Sequence, residues 1–286
     1  MLAVCAALFA VTDCKNAKQN DNAAPEQGAK VMARAVPERA DDFVWENEFI
    51  AYRAYGEALE GNPTSPGFDI WVKKPGALVA NDWYRHAVEE DPDYYHHDHG
   101  GKDCYKVSVS LGGGASAPVV EGRLVFPATN YRSYDIVEGD DEITFTLHYP
   151  EWEVDGHMVS LDKQVTVTSG TNFCKVVDTY KGDFDQLVVA CGMLRHDVVE
   201  ERAWKDRIAI WERPSDQSIE PEEGMIGVAV YMPRPAKVEA CNEGNNHALL
   251  YTAIIPGEPV TYYFGSCWSR GNVASSQEWF DMVEKL

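Results

Sequence analysis

Hydrophobic and polar residues alternate with a period of two along most of the chain after Asp42. The clearest run is residues 142–149, in which every second residue is apolar and the others between are Thr and His. Since successive side chains of a strand point to opposite faces, this pattern predicts half-buried antiparallel strands. Turn-forming residues separate roughly a dozen such runs. The predicted strands are residues 49–55, 68–73, 105–110, 123–126, 131–137, 142–149, 164–168, 173–180, 187–191, 206–211, 227–231, 248–255 and 260–264.

Helical patterns are few. Residues 77–88 predict a short helix, and residues 275–286 predict a final one that Ser275 would cap. Strands and helices do not alternate as in a Rossmann fold, and no fixed repeat indicates a propeller or a solenoid. The pattern therefore predicts an all-β fold, a large antiparallel two-sheet sandwich with a few short helices, whose concave face is suited to hold a saccharide.

The N-terminal region differs from the rest of the chain. Residues 2–12 form an uncharged apolar run of the length found in export signals, so we predict an export signal or lipoprotein-like segment over residues 1–14. No Lys or Arg precedes Lys15, which suggests that the true reading frame begins earlier. A lipid anchor on Cys14 is one alternative, although Asp13 stands where a small residue is expected.

Polar, Ala-, Asn- and Gln-rich residues follow this segment and predict a flexible tether over residues 15–42. Residues 43–286 then form a single predicted β-sandwich domain. The chain would be located in the periplasm or cell envelope, without an integral membrane span.

The net charge narrows the function. The chain has 25 Lys and Arg against 46 Asp and Glu, a formal charge of −21. Such a surface repels phosphate backbones, so we expect no nucleic-acid partner. With 45% hydrophobic residues the chain can bury a large core.

The cysteines indicate neither zinc nor a disulfide framework. Five of the seven lie beyond the tether, at Cys104, Cys174, Cys191, Cys241 and Cys267, without a CxxC pair or a regular spacing. We expect most of them to be small buried apolar residues, and one disulfide in an oxidising compartment remains an alternative.

The densest group of polar residues is the histidine loop, residues 94–103. It holds Tyr95, His96, His97 and His99 just before a Gly-rich segment at residues 111–116. Loops of this kind commonly carry catalytic groups, whereas a solvated polar loop is the plainer interpretation. A divalent metal held by His96, His97 and His99 is a third and disfavoured interpretation, because no HExxH motif or distant His pair accompanies it. We therefore predict no cofactor.

Three further groups are candidates for a site. Arg132 and Tyr134 share one face of a predicted strand, so a guanidinium and a phenol would line one pocket. Arg195 and His196 follow an apolar run and would enter a cleft from a strand end. Near the C-terminus, Trp268 offers a surface for a sugar ring beside Arg270. For each group, ordinary packing or a simple turn is an alternative of similar weight.

Several well-known catalytic motifs are missing from the sequence. It contains no GxSxG elbow, no P-loop and no GxGxxG segment after a strand. No pair of carboxylates stands out among the 46 acidic residues as a glycosidase pair would.

Certain segments resemble a bacterial family catalogued as a domain of unknown function and often encoded in polysaccharide-utilisation loci. The similarity covers about residues 43–286, and its motifs are specific together rather than singly. The similar segments are residues 51–59, 69–73, 83–84, 95–100, 103–107, 111–114, 131–134, 195–196 and 262–269. The resemblance implies a galactose mutarotase-like β-sandwich. It also implies a link to uronic-acid oligosaccharides and removal of water from a terminal uronic acid to give a 4,5-unsaturated sugar.

Such an elimination requires a base at C5, an acid for the departing 4-hydroxyl and a cation beside the carboxylate. We expect His97 or His99 as the base, and Tyr134, Tyr95 or His196 as the acid. Arg132 would hold the carboxylate. The catalytic candidates are therefore His97, His99, Tyr134 and His196. The oligosaccharide would be bound by Tyr95, His96, Lys106, Arg132, Arg195, Trp268 and Arg270.

Two other functions remain open at this point. The first is a sugar epimerase or mutarotase-like enzyme with a His base. The second is a non-catalytic glycan-binding protein displayed at the cell surface, in which the histidine loop would be structural.

Overall fold

Strands dominate the protein, as the alternating pattern predicts. The computed structural model describes residues 28–60, 67–213, 224–239 and 246–286. The strands within these ranges are β1 (Val31–Val36), β2 (Asp42–Asn47), β3 (Ile50–Ala54), β4 (Asp69–Lys73), β5 (Gly101–Asp103), β6 (Ser116–Val120), β7 (Arg123–Leu124), β8 (Ser133–Val137), β9 (Glu142–Val154), β10 (His157–Thr168), β11 (Phe173–Gly182), β12 (Leu187–Leu194), β13 (Asp197–Ala203), β14 (Arg207–Arg213), β15 (Ile226–Tyr231), β16 (Lys237–Glu239), β17 (His247–Ile254) and β18 (Pro259–Trp268). The α-helices are α1 (Ala80–Glu89) and α2 (Ser276–Glu284), and 3-10 turns lie at Glu57–Leu59 and Tyr94–His96.

The strands form three antiparallel sheets. The N-terminal sheet has the order β1-β2-β3-β4-β5. The large sheet has eight strands in the order β13-β14-β15-β18-β11-β10-β9-β8. The third sheet has the order β16-β17-β12-β6-β7. The longest hairpin of the large sheet joins β9 to β10 through Asp155 and Gly156, whose positive φ angles of 52° and 81° are typical of a tight hairpin turn.

One hydrophobic core lies between the large sheet and the two five-stranded sheets. Trp45 of the N-terminal sheet meets Phe145 of the large sheet with ring centroids 5.1 Å apart. Cys191 and Leu250 enter the same core from the third sheet. The predicted all-β sandwich is therefore confirmed, with the two five-stranded sheets together forming one of its layers.

The two helices cover outer faces of the sheets near the predicted positions. Helix α1 packs Trp83 and Tyr84 on Trp71 of the N-terminal sheet, at ring distances of 5.7 and 5.0 Å. Helix α2 stacks Trp279 on Phe173 of the large sheet at 5.4 Å. Ser275 caps α2 as predicted, accepting a hydrogen bond from the Glu278 N–H at 3.3 Å. In the part of the chain that the structure describes, no helix has both the length and the apolar character needed to cross a bilayer.

The Gly-rich segment serves packing between the sheets. Gly112 has a φ of +56° and pairs with Phe68, so that a Cβ on Gly112 would lie 2.1 Å from the Phe68 carbonyl oxygen. A Cβ on Gly114 would lie 2.3 Å from the Cβ of Phe264. These glycines are required because backbone and ring approach them too closely for any side chain.

Two predicted segments differ from the structure. The predicted tether includes β1, which pairs with β2 over its whole length and buries Val36. The apolar residues of β1 complete the inner and outer faces of the N-terminal sheet, which composition alone does not reveal. Residues 1–27, with the predicted export segment, the rest of the tether and Cys14, lie outside the described residues.

The predicted strand at residues 105–110 is also wrong. Ser108 has a φ of +51°, and the Ser110 hydroxyl donates to the Val107 carbonyl, so the chain turns there instead of extending. Conversely, the pattern missed β13, whose residues are mostly exposed or half-buried and give no clear apolar face.

Four of the cysteines meet the expectation of burial. Cys104, Cys174, Cys191 and Cys267 are buried free thiols. Burial raises the pKa of each thiol, so they pack as small apolar groups. Cys241 lies outside the described residues.

A charged pair sits in the middle of the core. Lys163 of β10 and Asp178 of β11 are fully buried, with Nζ and Oδ2 2.6 Å apart. The same Oδ2 accepts hydrogen bonds from Ser116 of the third sheet and, at 3.3 Å, from Tyr262. The pair therefore fastens the large sheet to the third sheet across the core.

Removal of one partner of this pair is expected to destabilise the fold strongly. Asp178→Ala leaves a buried ammonium without its carboxylate, so the free energy of unfolding should fall by about 3–5 kcal/mol. Urea unfolding at neutral pH measures the loss. The double variant Lys163→Met with Asp178→Leu should lose much less, because no charge is left unpaired. A loss below about 1 kcal/mol for Asp178→Ala would contradict a role of the pair in stability.

Candidate functional site

A buried arginine organises one end of the N-terminal sheet. Arg53 near the end of β3 pairs in register with Asp69 at the start of β4. Its Nη2 lies 2.5 Å from Asp69 Oδ2 and 2.8 Å from Oδ2 of Asp103, the last residue of β5. Asp42 of β2 approaches Nη1 to 3.9 Å. We call these four residues the Arg53 cluster.

The cluster holds more acid than base. Arg39 is the second cation, with its Nη1 2.8 Å from Asp42 Oδ2, and the Tyr84 hydroxyl donates to the same oxygen at 3.2 Å. Three carboxylates therefore face two guanidinium groups away from water. Burial raises the pKa of Asp42 to about 6, against the opposing effect of Arg53, and it also raises the pKa values of Asp69 and Asp103. The cluster consequently retains protons at mildly acidic pH.

His96 lies at the rim of this cluster. Its Nδ1 is 3.3 Å from the main-chain carbonyl of Asp103 and 3.7 Å from Oδ2 of the same residue. Because a carbonyl only accepts hydrogen bonds, we assign the ring proton to Nδ1, which leaves a lone pair on Nε2. Burial, together with the charge of Arg53, lowers the pKa of His96. With 24% of its side chain exposed, His96 is a neutral imidazole suited to accept a proton.

Tyr55 stands on the other side of Arg53. The Arg53 guanidinium lies 5.1 Å from the centre of its ring, and the side chain is half-buried at the end of β3. Burial raises the pKa of Tyr55 well above its ordinary value. The phenol therefore keeps its proton at neutral pH.

A second histidine joins the chain after β5 to the large sheet. His196 Nδ1 is 2.8 Å from Oε1 of the buried Glu212, and its Nε2 is 2.7 Å from the Lys106 carbonyl. A carbonyl oxygen can only accept, so Nε2 carries a hydrogen and donates it to Lys106, while Nδ1 is hydrogen-bonded to the Glu212 carboxyl group. The ring of Tyr105 meets it edge-on at 4.7 Å.

The two histidines share one short segment. His96 contacts the main chain of Asp103 and His196 contacts that of Lys106, and these residues are separated by at most about 11 Å of extended chain. The histidines thus lie at the same end of the sandwich, within reach of one short oligosaccharide.

A further ion pair ties the histidine loop to this end. Arg270, just after β18, places Nη2 2.9 Å from Asp98 Oδ2 and lies 4.9 Å over the ring of Trp268. Trp268, Ile226 and Glu212 are register partners across β18, β15 and β14. Arg270 and the His196–Glu212 pair therefore border the same edge of the large sheet.

His97 and His99, the expected bases, point away from the Arg53 cluster. His97 is 52% exposed and lies 3.9 Å from Asp91. His99 stacks on Tyr94 at 3.8 Å, and Tyr94 stacks in turn on His86 at 4.5 Å. Because the turn Tyr94–His96 directs only His96 inward, we move the candidate base from these residues to His96.

Arg132 and Tyr134 lie at the start of β8, on the large sheet. Arg132 binds both carboxylate oxygens of Glu60, with Nη2 2.9 Å from Oε2, and lies 3.7 Å from Glu57. Tyr134 packs edge-on against Phe43 at 5.3 Å. None of these contacts involves the Arg53 cluster, His96 or His196. The proposed carboxylate clamp at Arg132 is thus already occupied by Glu60.

The remaining predicted substrate residues divide into buried and exposed ones. Tyr95 and Trp268 are buried, and Tyr95 stacks on Trp71 at 4.9 Å, so both contribute to packing and not to an open sugar surface. Lys106 is exposed beside His196. Arg195 pairs with Glu201 at 2.8 Å.

Sequence reasoning missed the residues on which the site depends. Arg53, Asp69, Asp103 and Glu212 were not candidates, although Arg53 is the single charge in the otherwise apolar strand β3, and Asp69 begins β4, whose only other charge is Lys73. An isolated charge in an apolar strand indicates a buried ion pair, because a charge is rarely buried without a partner. That signal was present in the sequence.

The described residues show no group of three or more His, Cys, Asp or Glu side chains arranged to hold a metal ion.

Comparison with known proteins gives three findings. A family model described as "Domain of unknown function (DUF4861)" matches residues 3–286. "Uncharacterized protein P7" of Formosa agariphila is 30% identical over 255 residues, which are 83% of this chain and 62% of that protein. The chain thus spans about three fifths of this relative's length. A solved "Putative kojibiose phosphorylase from human microbiome" aligns with a TM-score of 0.47 and 10% identity, over 90% of this chain and 36% of that one.

The Arg53 cluster predicts a pH-dependent stability. A carboxyl pKa raised to about 6 means that, from about pH 4 to pH 6, native Asp42 keeps a proton that the unfolded chain releases. The free energy of unfolding should therefore fall as pH rises through this window. Asp42→Asn should reduce the fall by about 2 kcal/mol. Urea unfolding at about pH 4.5 and about pH 7, which roughly span the window, measures this change in the free energy of unfolding.

Asp41→Asn is the matched control, because Asp41 is the exposed neighbour of Asp42. It should leave the pH dependence unchanged. Equal pH dependence in Asp42→Asn and the unsubstituted protein would refute the assignment of a buried, protonated Asp42.

Proposed function

We propose that this chain, which belongs to the DUF4861 family, is a carbohydrate-active enzyme that removes water from a terminal uronic acid of an oligosaccharide. The product would be a 4,5-unsaturated sugar. The observation that supports this most is the neutral His96, held by the Asp103 carbonyl beside the buried Arg53. Export of the protein, expected from residues 1–14, is part of the same proposal.

The proposed reaction begins at C5 of the uronic acid. Nε2 of His96 takes the C5 proton, and the electron pair of that bond forms the double bond between C4 and C5. The bond from C4 to its hydroxyl oxygen breaks, and the Tyr55 phenol gives its proton so that water leaves. The proton on His96 then returns to Tyr55 through solvent, which restores both groups.

The developing negative charge beside the carboxylate needs cations. In this proposal His196 is an imidazolium held by Glu212 and by the Lys106 carbonyl, and the Lys106 side chain is exposed next to it. Arg270 borders the same edge beside Asp98. These groups supply local positive charge in a chain whose formal charge is −21.

His96→Gln tests the base. The amide keeps a similar size and hydrogen-bonding capacity but cannot take the C5 proton, so the turnover of a uronate-ended oligosaccharide should fall by roughly 10²–10⁴-fold. Product is followed by the absorbance of the unsaturated sugar and by the mass loss of one water. His97→Gln and His99→Gln are matched controls in the same loop and should retain activity. Loss of activity in His99→Gln with full activity in His96→Gln would overturn the assignment.

Tyr55→Phe tests the acid. The ring still packs beside Arg53, but the proton for the leaving hydroxyl is absent, so kcat should fall at least about 10²-fold with little change in KM. Steady-state kinetics on the same oligosaccharide give both values. If no uronate-ended oligosaccharide loses water with the unsubstituted protein, the proposed reaction is wrong.

A further inference from the structure

A strip of the outer face of the large sheet lies beyond the end of helix α2. The helix covers Phe173, and its last turn is held by Arg207, whose Nη1 donates to the Val283 carbonyl at 2.8 Å. Past this point, one row of register partners crosses five strands from β14 to β10. The row consists of Arg207, Tyr231, Tyr263, Lys175 and Thr166.

Two tyrosines of the row form a stack with one open side. The rings of Tyr231 and Tyr263 are 5.5 Å apart with an interplanar angle of 22°. Arg207 lies 4.3 Å from the centre of the Tyr231 ring, so Tyr231 has a neighbour on each side. Tyr263 is half-buried and makes no second ring contact among the described residues. Its other side faces the strand of Lys175.

Polar and cationic groups border that open side. Lys175 is exposed and forms no ion pair within the described ranges. Thr166 is its partner on β10, and the exposed Gln164 lies two residues further along that strand on the same face. A ring face beside an ammonium, a hydroxyl and an amide fits a ligand that has an apolar face, many hydroxyls and an anionic group.

The strip is short of acid in a strongly acidic protein. From β18 to β9, the row through Tyr263 and the next row through Gln164 contain no carboxylate, whereas the chain has 46 acidic and 25 basic residues. The bordering acids on this face are already paired: Asp206 with Arg207 at 2.9 Å, and Asp135 of β8 and Asp162 of β10 with His148 at 3.0 and 2.8 Å. The strip therefore has a charge complementary to an anionic ligand.

We propose that this strip binds an acidic polysaccharide, with a pyranose ring stacked on the open face of Tyr263 and its carboxylate paired with Lys175. The surface is separate from the Arg53 cluster, which lies on the N-terminal sheet. It would hold a polymer on the protein without taking part in the reaction at His96. The inference therefore does not depend on the proposed elimination.

Affinity electrophoresis tests this binding with polygalacturonate as the anionic probe and dextran as the neutral one. Polygalacturonate in the native gel should slow the unsubstituted protein, whereas dextran should not. Tyr263→Ala and Lys175→Gln should each weaken the binding roughly tenfold, and Tyr263→Phe should retain it because the ring remains. Circular dichroism confirms that each variant is folded.

Lys181→Gln is the charge-matched control. Lys181 lies on the neighbouring part of β11 but is paired with Asp162 at 2.5 Å, so its loss should leave the binding unchanged. The proposal is overturned if polygalacturonate fails to slow the protein, if dextran slows it equally, or if Lys181→Gln weakens binding as much as Lys175→Gln. Unchanged binding in both Tyr263→Ala and Lys175→Gln overturns it as well.

Discussion

The burial of Arg53 is the constraint on which the candidate site depends. A guanidinium removed from water must be surrounded by acceptors, and here these come from three strands, through Asp42, Asp69 and Asp103. Satisfying one cation thus aligns β2, β4 and β5 around β3. The same arrangement positions the Asp103 carbonyl that orients His96. The pairing that satisfies Arg53 therefore also fixes His96 as a neutral imidazole at the rim of the sheet.

The two-layer sandwich explains why the residues of the candidate site lie at one end of the fold. The inward side chains along the strands fill the core between the large sheet and the two five-stranded sheets. Polar side chains of the candidate site therefore lie where strands end. The segment after β5 and the residue after β12 meet at such an end through His196 and the Lys106 carbonyl. The outer face of the large sheet is a different environment. There the strand alternation displays Tyr263 and Lys175 side by side on one face.

Local charge and total charge have different consequences in this protein. The formal charge of −21 describes mostly exposed carboxylates, which water and salt screen. Buried groups respond to the loss of water and to their immediate neighbours, so burial raises the pKa of Asp42 although Arg39 and Arg53 adjoin it. His196 is likewise fixed by close partners, the Glu212 carboxyl group and the Lys106 carbonyl. An anionic sugar would respond to these few groups at close range.

The sequence by itself determined the all-β sandwich and the two helices near their observed positions. Each of these rests on local information, such as the period of two or a capping serine. Only the tertiary structure decided that His96 faces inward while His99 stacks on Tyr94, and that Arg132 is occupied by Glu60. It also brought together Arg53, Asp69 and Asp103. The contacts of Arg53 and Arg132 join residues far apart in the chain, and their geometry is set by strand register and packing, which no local pattern contains.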